Sequence, residues 1–144
     1  MTAPGFESLP GRALPEGTFT ITEEDDRRVH AVVGGQPRDG GLAHPLWAYI
    51  AAQRGIGISV ADICALASFD VSDGPMLGSS HLEYHRPIML GVPYRVTGQV
   101  LGIERKRGSI GTFDVLEFRE DLLCTDGELV ASSTSTYILP RRDV

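Results

Sequence analysis

Residues 44–53 decide the fold of this chain, and they read HPLWAYIAAQ. If this segment is helical, its apolar residues cover more than one side of the helix, and these residues are Leu46, Trp47, Ile50, Ala51 and Ala52. A helix that is apolar on most sides is stable only where other elements cover it. The segment therefore predicts a buried central helix, which ends at the break Gly55-Ile56-Gly57.

Two further helices are predicted on either side of this segment. Thr22 is a good N-cap, because Asp25 follows three residues later and acidic residues fill the first turn. This helix is expected to stop at Gly34-Gly35. Ser59 and Asp62 form a second capping pattern, which predicts a helix running to about Phe69.

Beyond residue 75 the pattern changes from helical to strand-like. Long strands are predicted at residues 79–88, 94–104, 112–123 and 128–139, and a short one at residues 17–22. Asp126-Gly127 is a typical hairpin turn between two such runs. The breaks are too short for crossover helices, so the neighbouring strands are expected to be antiparallel.

These elements predict an α+β fold in which one curved antiparallel sheet wraps around the long central helix. The expected domain spans residues 17–144 and follows a flexible lead-in over residues 1–16, which is rich in proline and glycine. The late strands carry apolar residues on both faces, as at Val115 and Leu116. We therefore expect a second copy or a partner chain to cover part of the sheet.

Composition excludes several classes of function. The chain has 144 residues with 42% hydrophobic and 22% charged, which is typical of one globular domain. A net charge of −6 argues against nucleic-acid binding. No apolar run reaches the roughly 18 residues of a membrane span, and residues 1–10 lack a signal-peptide pattern. Cys64 and Cys124 are expected to be reduced thiols, which favours the cytoplasm.

Three motifs resemble the MaoC-like dehydratase branch of the hot-dog superfamily. Residues 81–88, HLEYHRPI, with Gly91 are similar to the strand after the family's central helix, usually written F-E-Y-H-R-P-[LV]-x-x-G-D. Residues 41–45, GLAHP, are similar to the entry of that helix, and residues 126–131, DGELVA, resemble a late hairpin. The resemblance runs from about residue 40 to residue 142.

This resemblance implies an enzyme that acts on an acyl thioester of coenzyme A or acyl carrier protein. The reaction would be reversible loss or addition of water, with no cofactor and no metal. The acyl chain would lie in a tunnel beside the central helix, at the interface of a homodimer or of paired hot-dog subunits. A backbone N–H at the start of the helix would hold the thioester carbonyl. The implied substrate-binding residues are Gly41, Leu42, Ala43, Trp47, Tyr84 and His85.

The chain departs from the family at the catalytic loop. Hydratases carry G-D-x-N-P-[LIV]-H upstream of the central helix, whereas residues 33–41 read VGGQPRDGG here, and no N-P-x-H occurs. Asp39 and His44 have the family's five-residue offset between acid and histidine, which predicts a general acid–base dyad. The alternative is that His44 caps the central helix and that Asp39 is a turn residue.

Three functions remain open from the sequence. The first is a dehydratase or hydratase that uses Asp39 and His44. The second is a catalytically reduced subunit that binds the acyl chain while a partner supplies catalysis, as the shortened loop indicates. The third is an acyl-CoA thioesterase, because Asp39-Gly40-Gly41 before a buried helix is similar to that branch of the fold.

Overall fold

The computed structural model describes residues 6–142 and contains five strands and three helices in that range. The strands are β1 (Ala13–Thr20), β2 (Met76–Tyr84), β3 (Pro93–Gly108), β4 (Gly111–Leu123) and β5 (Leu129–Pro140). The helices are α1 (Glu23–Val32), α2 (Trp47–Gly55) and α3 (Val60–Leu66), and a short 3-10 turn occupies Val71–Asp73. Within these residues, no helix has the length and apolar character that crossing a bilayer requires.

The strands form one antiparallel sheet in the order β1-β3-β4-β5-β2. The predicted α+β class and the antiparallel pairing are therefore confirmed. Both predicted helix caps are also present. The Thr22 side chain accepts a hydrogen bond from the backbone N–H of Asp25 at the start of α1, and Ser59 does the same for Asp62 at the start of α3.

Helix α2 lies against the sheet and contacts all five strands. Its buried residues are Trp47, Ala48, Ala51, Ala52 and Gly55. The helix is shorter than predicted: it begins at Trp47, because residues 44–46 form a tight turn around Pro45 instead of a regular helical turn. One side is also open, since Leu46 is 37% exposed and Arg54 is exposed. The helix is thus covered by the sheet on one side and uncovered on the other.

The lead-in differs from its prediction over the part that the structure describes. Phe6 and Leu9 are buried in the core, and β1 begins at Ala13, within the predicted flexible segment. The backbone N–H of Gly11 donates to the Val100 carbonyl at 2.8 Å, which fixes the approach to β1. The proline and glycine content predicts flexibility, but the apolar side chains of Phe6 and Leu9 pack into the core between these residues. Residues 1–5 lie outside the described range.

The backbone of β1 and the backbone at the end of α2 approach each other closely. A Cβ atom at Gly17 would overlap the carbonyl oxygen of Gly55. The backbone N–H of Gly57 donates to the Pro15 carbonyl at 2.9 Å. Glycine at position 17 is therefore required by close approach, and it fixes the C-terminal end of α2 on the sheet.

A buried ion-pair network joins β3, β4 and the end of β5. Asp114 is 0% exposed and accepts from Arg105 Nε at 2.8 Å and from Arg141 Nε at 2.6 Å. Arg141 also donates to the carbonyls of Ser68 and Ala67 just after α3. Burial by itself raises the pKa of Asp114, but the hydrogen bonds from both arginines outweigh it and hold this pKa below its usual value.

Strand β2 is an open edge of the sheet. It pairs only with β5 within the described residues, and eight of its nine residues are exposed. Met76 and Leu77 are 47% and 52% exposed, although both are large and apolar. An open strand edge with unpaired backbone groups favours pairing with another strand.

Candidate functional site

His44 lies in the turn that leads into α2, and its ring serves the start of the helix. Its Nδ1 accepts a hydrogen bond from the backbone N–H of Leu46 at 3.0 Å. Its own backbone N–H donates to Asp26 Oδ1 at 2.8 Å. The structure therefore gives His44 the capping position that we considered beside the catalytic one.

These bonds determine what the imidazole can do. Burial lowers the pKa of His44, the neighbouring His30 and Arg38 lower it further, and Asp26 opposes them. The ring is thus neutral near pH 7. Because Nδ1 accepts from Leu46, the single proton of the neutral ring is on Nε2. His44 therefore presents an N–H donor, and it has no free ring nitrogen that could act as a base.

The acid beside His44 is Asp26 of α1, which is 1% exposed. Its Oδ1 accepts from the backbone N–H of His44 and from Trp47 Nε1, the latter at 3.0 Å. Its Oδ2 lies 3.4 Å from His30 Nε2. The rings of His30 and His44 meet edge to face with centroids 4.9 Å apart. We call Asp26, His30, His44 and Trp47 the entry cluster.

Asp26 and His30 were not predicted as site residues. They lie four residues apart on α1 and so share one face of that helix. Asp26 stood among four acids of the first turn, where acidic residues are expected for the helix dipole alone. The i,i+4 spacing of an acid and a histidine was the available signal.

The structure does not join Asp39 to His44. Asp39 is exposed, and across residues 6–142 no hydrogen bond or ion pair links its carboxylate to His44. Gly40 and Gly41, with φ of +76° and +74°, turn the chain between the two residues. The turn interpretation of Asp39 fits this geometry, and the five-residue offset does not bring the two groups into contact.

Backbone donors at the start of α2 are already engaged. The N–H groups of Ala43, His44, Leu46 and Trp47 donate to Ile88 O, Asp26 Oδ1, His44 Nδ1 and His44 O respectively. Pro45 has no N–H. Among the described residues, no hydrogen bond engages Nε2 of His44, so this ring nitrogen, and not one of these backbone amides as the resemblance implied, is the donor that remains at the turn.

The predicted substrate-binding residues occupy four different environments. Gly41, Leu42 and Ala43 run beside residues 88–90, held by Leu90 N–H to Gly41 O at 2.8 Å. Trp47 is 1% exposed and belongs to the core. Tyr84, which is 48% exposed, reaches the turn directly, since its hydroxyl donates to the Pro45 carbonyl at 2.8 Å.

The remaining predicted residue, His85, pairs with a different acid. Its Nε2 lies 3.9 Å from Glu83 Oε2, and His81 Nε2 lies 3.3 Å from the other oxygen of Glu83. In the described part of the chain, no three His, Cys, Asp or Glu side chains lie close enough together to hold a metal ion. His85 is thus next to Tyr84 in sequence but has no bond to the entry cluster.

An apolar groove lies between α1 and α2, beside the entry cluster. Its volume is about 260 Å³. The lining residues are Arg28, Val29, Val32, Val33, Leu46 and Ile50. Val32 is 86% exposed, although it is apolar. A hydrocarbon chain beside His44 can therefore lie along this groove.

The sequence matches no protein-family model, and no curated protein is significantly similar to it. Solved structures do match. The HadBC (3R-hydroxyacyl-ACP dehydratase) complex of Mycobacterium tuberculosis is 16% identical, with a TM-score of 0.69 over 91% of this chain and 97% of that chain. The ChsH1-ChsH2 complex of the same organism is 14% identical, with a TM-score of 0.68 over 97% and 94%.

A MaoC-like dehydratase from Rhodospirillum rubrum is 16% identical, with a TM-score of 0.64 over 96% of this chain and 97% of that chain. Coverage is nearly complete on both sides in all three comparisons. These likenesses show the fold: the chain has the hot-dog fold of the MaoC-like dehydratases, as the sequence motifs predicted.

Proposed function

We propose that this chain binds an acyl thioester of coenzyme A or acyl carrier protein at the start of α2 and takes part in its hydration or dehydration. The observation that carries the proposal is the hydrogen bond from the Leu46 N–H to His44 Nδ1, which leaves the proton of the neutral ring on Nε2 as a donor at that turn. The hot-dog fold shared with dehydratases supports the reaction class. Fold alone assigns no reaction, so the proposal depends on this site.

The chemistry requires stabilisation of a developing negative charge. When the α-proton of the acyl group leaves, charge accumulates on the thioester oxygen. The Nε2–H of His44 is suited to donate to that oxygen, because the entry cluster fixes the ring before the substrate arrives. Asp26 positions His44 through the backbone, and Tyr84 closes the same turn from β2.

The proton acceptor is the component that the entry cluster does not supply. His44 Nδ1 is occupied by Leu46, and Asp26 Oδ1 accepts two hydrogen bonds. This supports the second candidate, an acyl-binding subunit whose partner contributes the base. The exposed edge of β2 offers a place for a second copy or another hot-dog chain to pair, and two of the similar structures are complexes.

We also propose a cytoplasmic location. Both Cys64 and Cys124 are free thiols, which is typical of a reducing compartment.

The test compares His44→Asn with wild type. Asparagine can still accept from the Leu46 N–H, but it lacks the outward N–H of Nε2. We expect crotonyl-CoA to bind within about threefold of wild type by calorimetry and its hydration to fall roughly 10²- to 10³-fold, as for other single oxyanion donors. Glu117→Gln, at an exposed side chain of β4, is the control and should leave both quantities unchanged.

The outcomes separate the candidates. Hydration by the pure chain supports the enzyme, whereas binding without turnover, with activity restored by a co-purifying hot-dog chain, supports the acyl-binding subunit. Equal hydration by wild type and His44→Asn would remove His44 from the mechanism. Absence of binding to any acyl-CoA or acyl carrier protein would overturn the proposed function.

A further inference from the structure

Polar side chains lie where α2 meets strands β4 and β5, beside the face of the helix that lines the apolar groove. We call them the inner polar cluster: Tyr49 and Gln53 from α2, Glu120 from β4, and Ser133 and Tyr137 from β5. Gln53 Nε2 donates to the Tyr137 hydroxyl at 2.7 Å and lies 3.4 Å from the Tyr49 hydroxyl. Glu120 and Ser133 are each 1% exposed. Such residues are unusual where the hot-dog core is otherwise apolar.

Two atoms of this cluster have no partner within residues 6–142. Neither Glu120 Oε2 nor Ser133 Oγ makes a hydrogen bond to another residue of that range, although both are fully buried. The two residues are directly paired in register on adjacent strands, so their side chains point to the same face of the sheet. A buried polar group without a partner costs free energy, and two side by side indicate a place for a third polar group.

The charge state of Glu120 limits what that third group can be. Burial raises the pKa of Glu120 to about 7, so the carboxyl is protonated in much of the population near neutral pH. The same side chain raises the pKa of the Tyr49 and Tyr137 hydroxyls, after burial itself, which places both within its electrostatic reach. No arginine or lysine of the described residues is paired with Glu120. The cluster therefore suits an uncharged oxygen better than a carboxylate.

The position of the cluster relates it to the entry cluster. Tyr49 and Gln53 follow Leu46 by three and seven residues, which is about 4.5 and 10.5 Å along the helix axis. The inner face of β2 beside it is open: Ser80 is exposed, and its hydroxyl lies 3.5 Å from that of buried Ser135. A chain that starts at His44 and runs between α2 and β2 would reach the inner polar cluster after a few carbons.

We propose that the inner polar cluster is the distal end of the acyl site and selects acyl groups that carry an uncharged hydroxyl or keto oxygen a few carbons from the thioester. This inference rests on the proposed function, since it presumes a thioester at His44. Glu120 and Ser133 would exchange hydrogen bonds with that oxygen. The apolar groove between α1 and α2 would then not hold the acyl chain.

The experiment measures binding of matched thioesters to the full chain by calorimetry at pH 7. The probes are butyryl-, 4-hydroxybutyryl- and succinyl-CoA, together with hexanoyl- and 6-hydroxyhexanoyl-CoA. We expect one hydroxylated probe to bind about tenfold tighter than its unsubstituted counterpart, as two recovered hydrogen bonds imply, and succinyl-CoA to show no such gain. Glu120→Leu should abolish this preference, and Glu120→Gln should retain most of it.

Glu117→Leu is the matched control, because Glu117 lies on the same strand but is exposed. Thermal unfolding of each variant shows that a lost preference is not lost folding. Equal binding of hydroxylated and plain probes overturns the inference while the proposed function stands. Tighter binding of plain chains that weakens in Val32→Asp places the chain in the apolar groove and also overturns it. Binding of no probe overturns the proposed function itself.

Discussion

The two ends of β4 carry buried acids with opposite surroundings. Asp114 and Glu120 are six residues apart on the same face of one strand, and they are 0% and 1% exposed. Asp114 receives hydrogen bonds from two arginines, and its pKa is lowered. Glu120 Oε2 receives none, and burial raises the pKa of Glu120 to about 7. The two carboxyls are thus equally buried, but the pKa is lowered for Asp114, which has arginine partners, and raised for Glu120, which has none among the described residues.

The register of the sheet explains the difference. Asp114 is paired across the strands with Arg105, whereas Glu120 is paired with Gly98, which has no side chain. A Cβ at Gly98 would already lie 3.0 Å from the Arg119 carbonyl, so no cation can be placed there without movement. Asp114 therefore stabilises the fold, whereas Glu120 lowers the stability of the folded state.

The largest effect is expected from breaking the paired end. Asp114→Leu leaves Arg105 and Arg141, which are mostly buried, without a counter-charge, and we expect the free energy of unfolding to fall by about 3 kcal/mol. Urea denaturation measures this. Asp39→Leu, at an exposed carboxylate, should change stability by less than about 0.5 kcal/mol. Similar losses in the two variants would contradict the assigned role of Asp114.

Replacing Glu120 should change the free energy of unfolding in the opposite direction to replacing Asp114. The folded-state pKa of Glu120 lies above its unfolded value, so the folded protein holds more protons and wild-type stability falls as pH rises from about 4.5 to about 7. Glu120→Gln has no such proton. We expect it to be more stable than wild type by about 2–3 kcal/mol at pH 8 and to have lost most of this slope. An unchanged slope would show that Glu120 is not the group responsible.

The smallest change in stability is expected at two adjacent serines of β5, which differ from each other as Asp114 and Glu120 do. Ser132 Oγ donates to Asp121 at 2.7 Å and accepts from Arg119 at 2.9 Å, whereas Ser133 Oγ has no partner. Ser132→Ala should therefore lose about 1 kcal/mol of stability, and Ser133→Ala should be neutral or slightly stabilising. Thermal melts of both variants test this, and a larger loss for Ser133→Ala would mean that its hydroxyl is satisfied in solution.

Local signals predicted most of the fold. Thr22 and Ser59 cap helices through residues three positions away, and strand alternation acts over neighbouring residues, so both are visible in the sequence. The predicted end of the lead-in and the predicted start of α2 were less accurate. Phe6 and Leu9 are buried by distant strands, and the turn at Pro45 depends on a bond from Leu46 to the His44 ring.

Whether His44 and Tyr84 bind substrate stays a prediction. His44 lies in the turn before α2, and the Tyr84 hydroxyl donates to the Pro45 carbonyl of the same turn. The acid was different, since Asp26 is 18 residues before His44 and reaches it only because α1 packs beside the turn. Glu120 looked like an ordinary strand residue in the sequence, because its isolation follows from Gly98 on the neighbouring strand. Contacts of this range are set by topology, which sequence spacing does not encode.

The glycine contact between β1 and α2 has a mechanical consequence. At Gly55 the helix backbone approaches the backbone of β1 so closely that a Cβ atom at Gly17 would overlap it. At the other end, the helix entry is held by hydrogen bonds to the side chains of Asp26 and Tyr84. We therefore expect the Gly55 end of α2 to tolerate less displacement than the His44 end when a ligand binds.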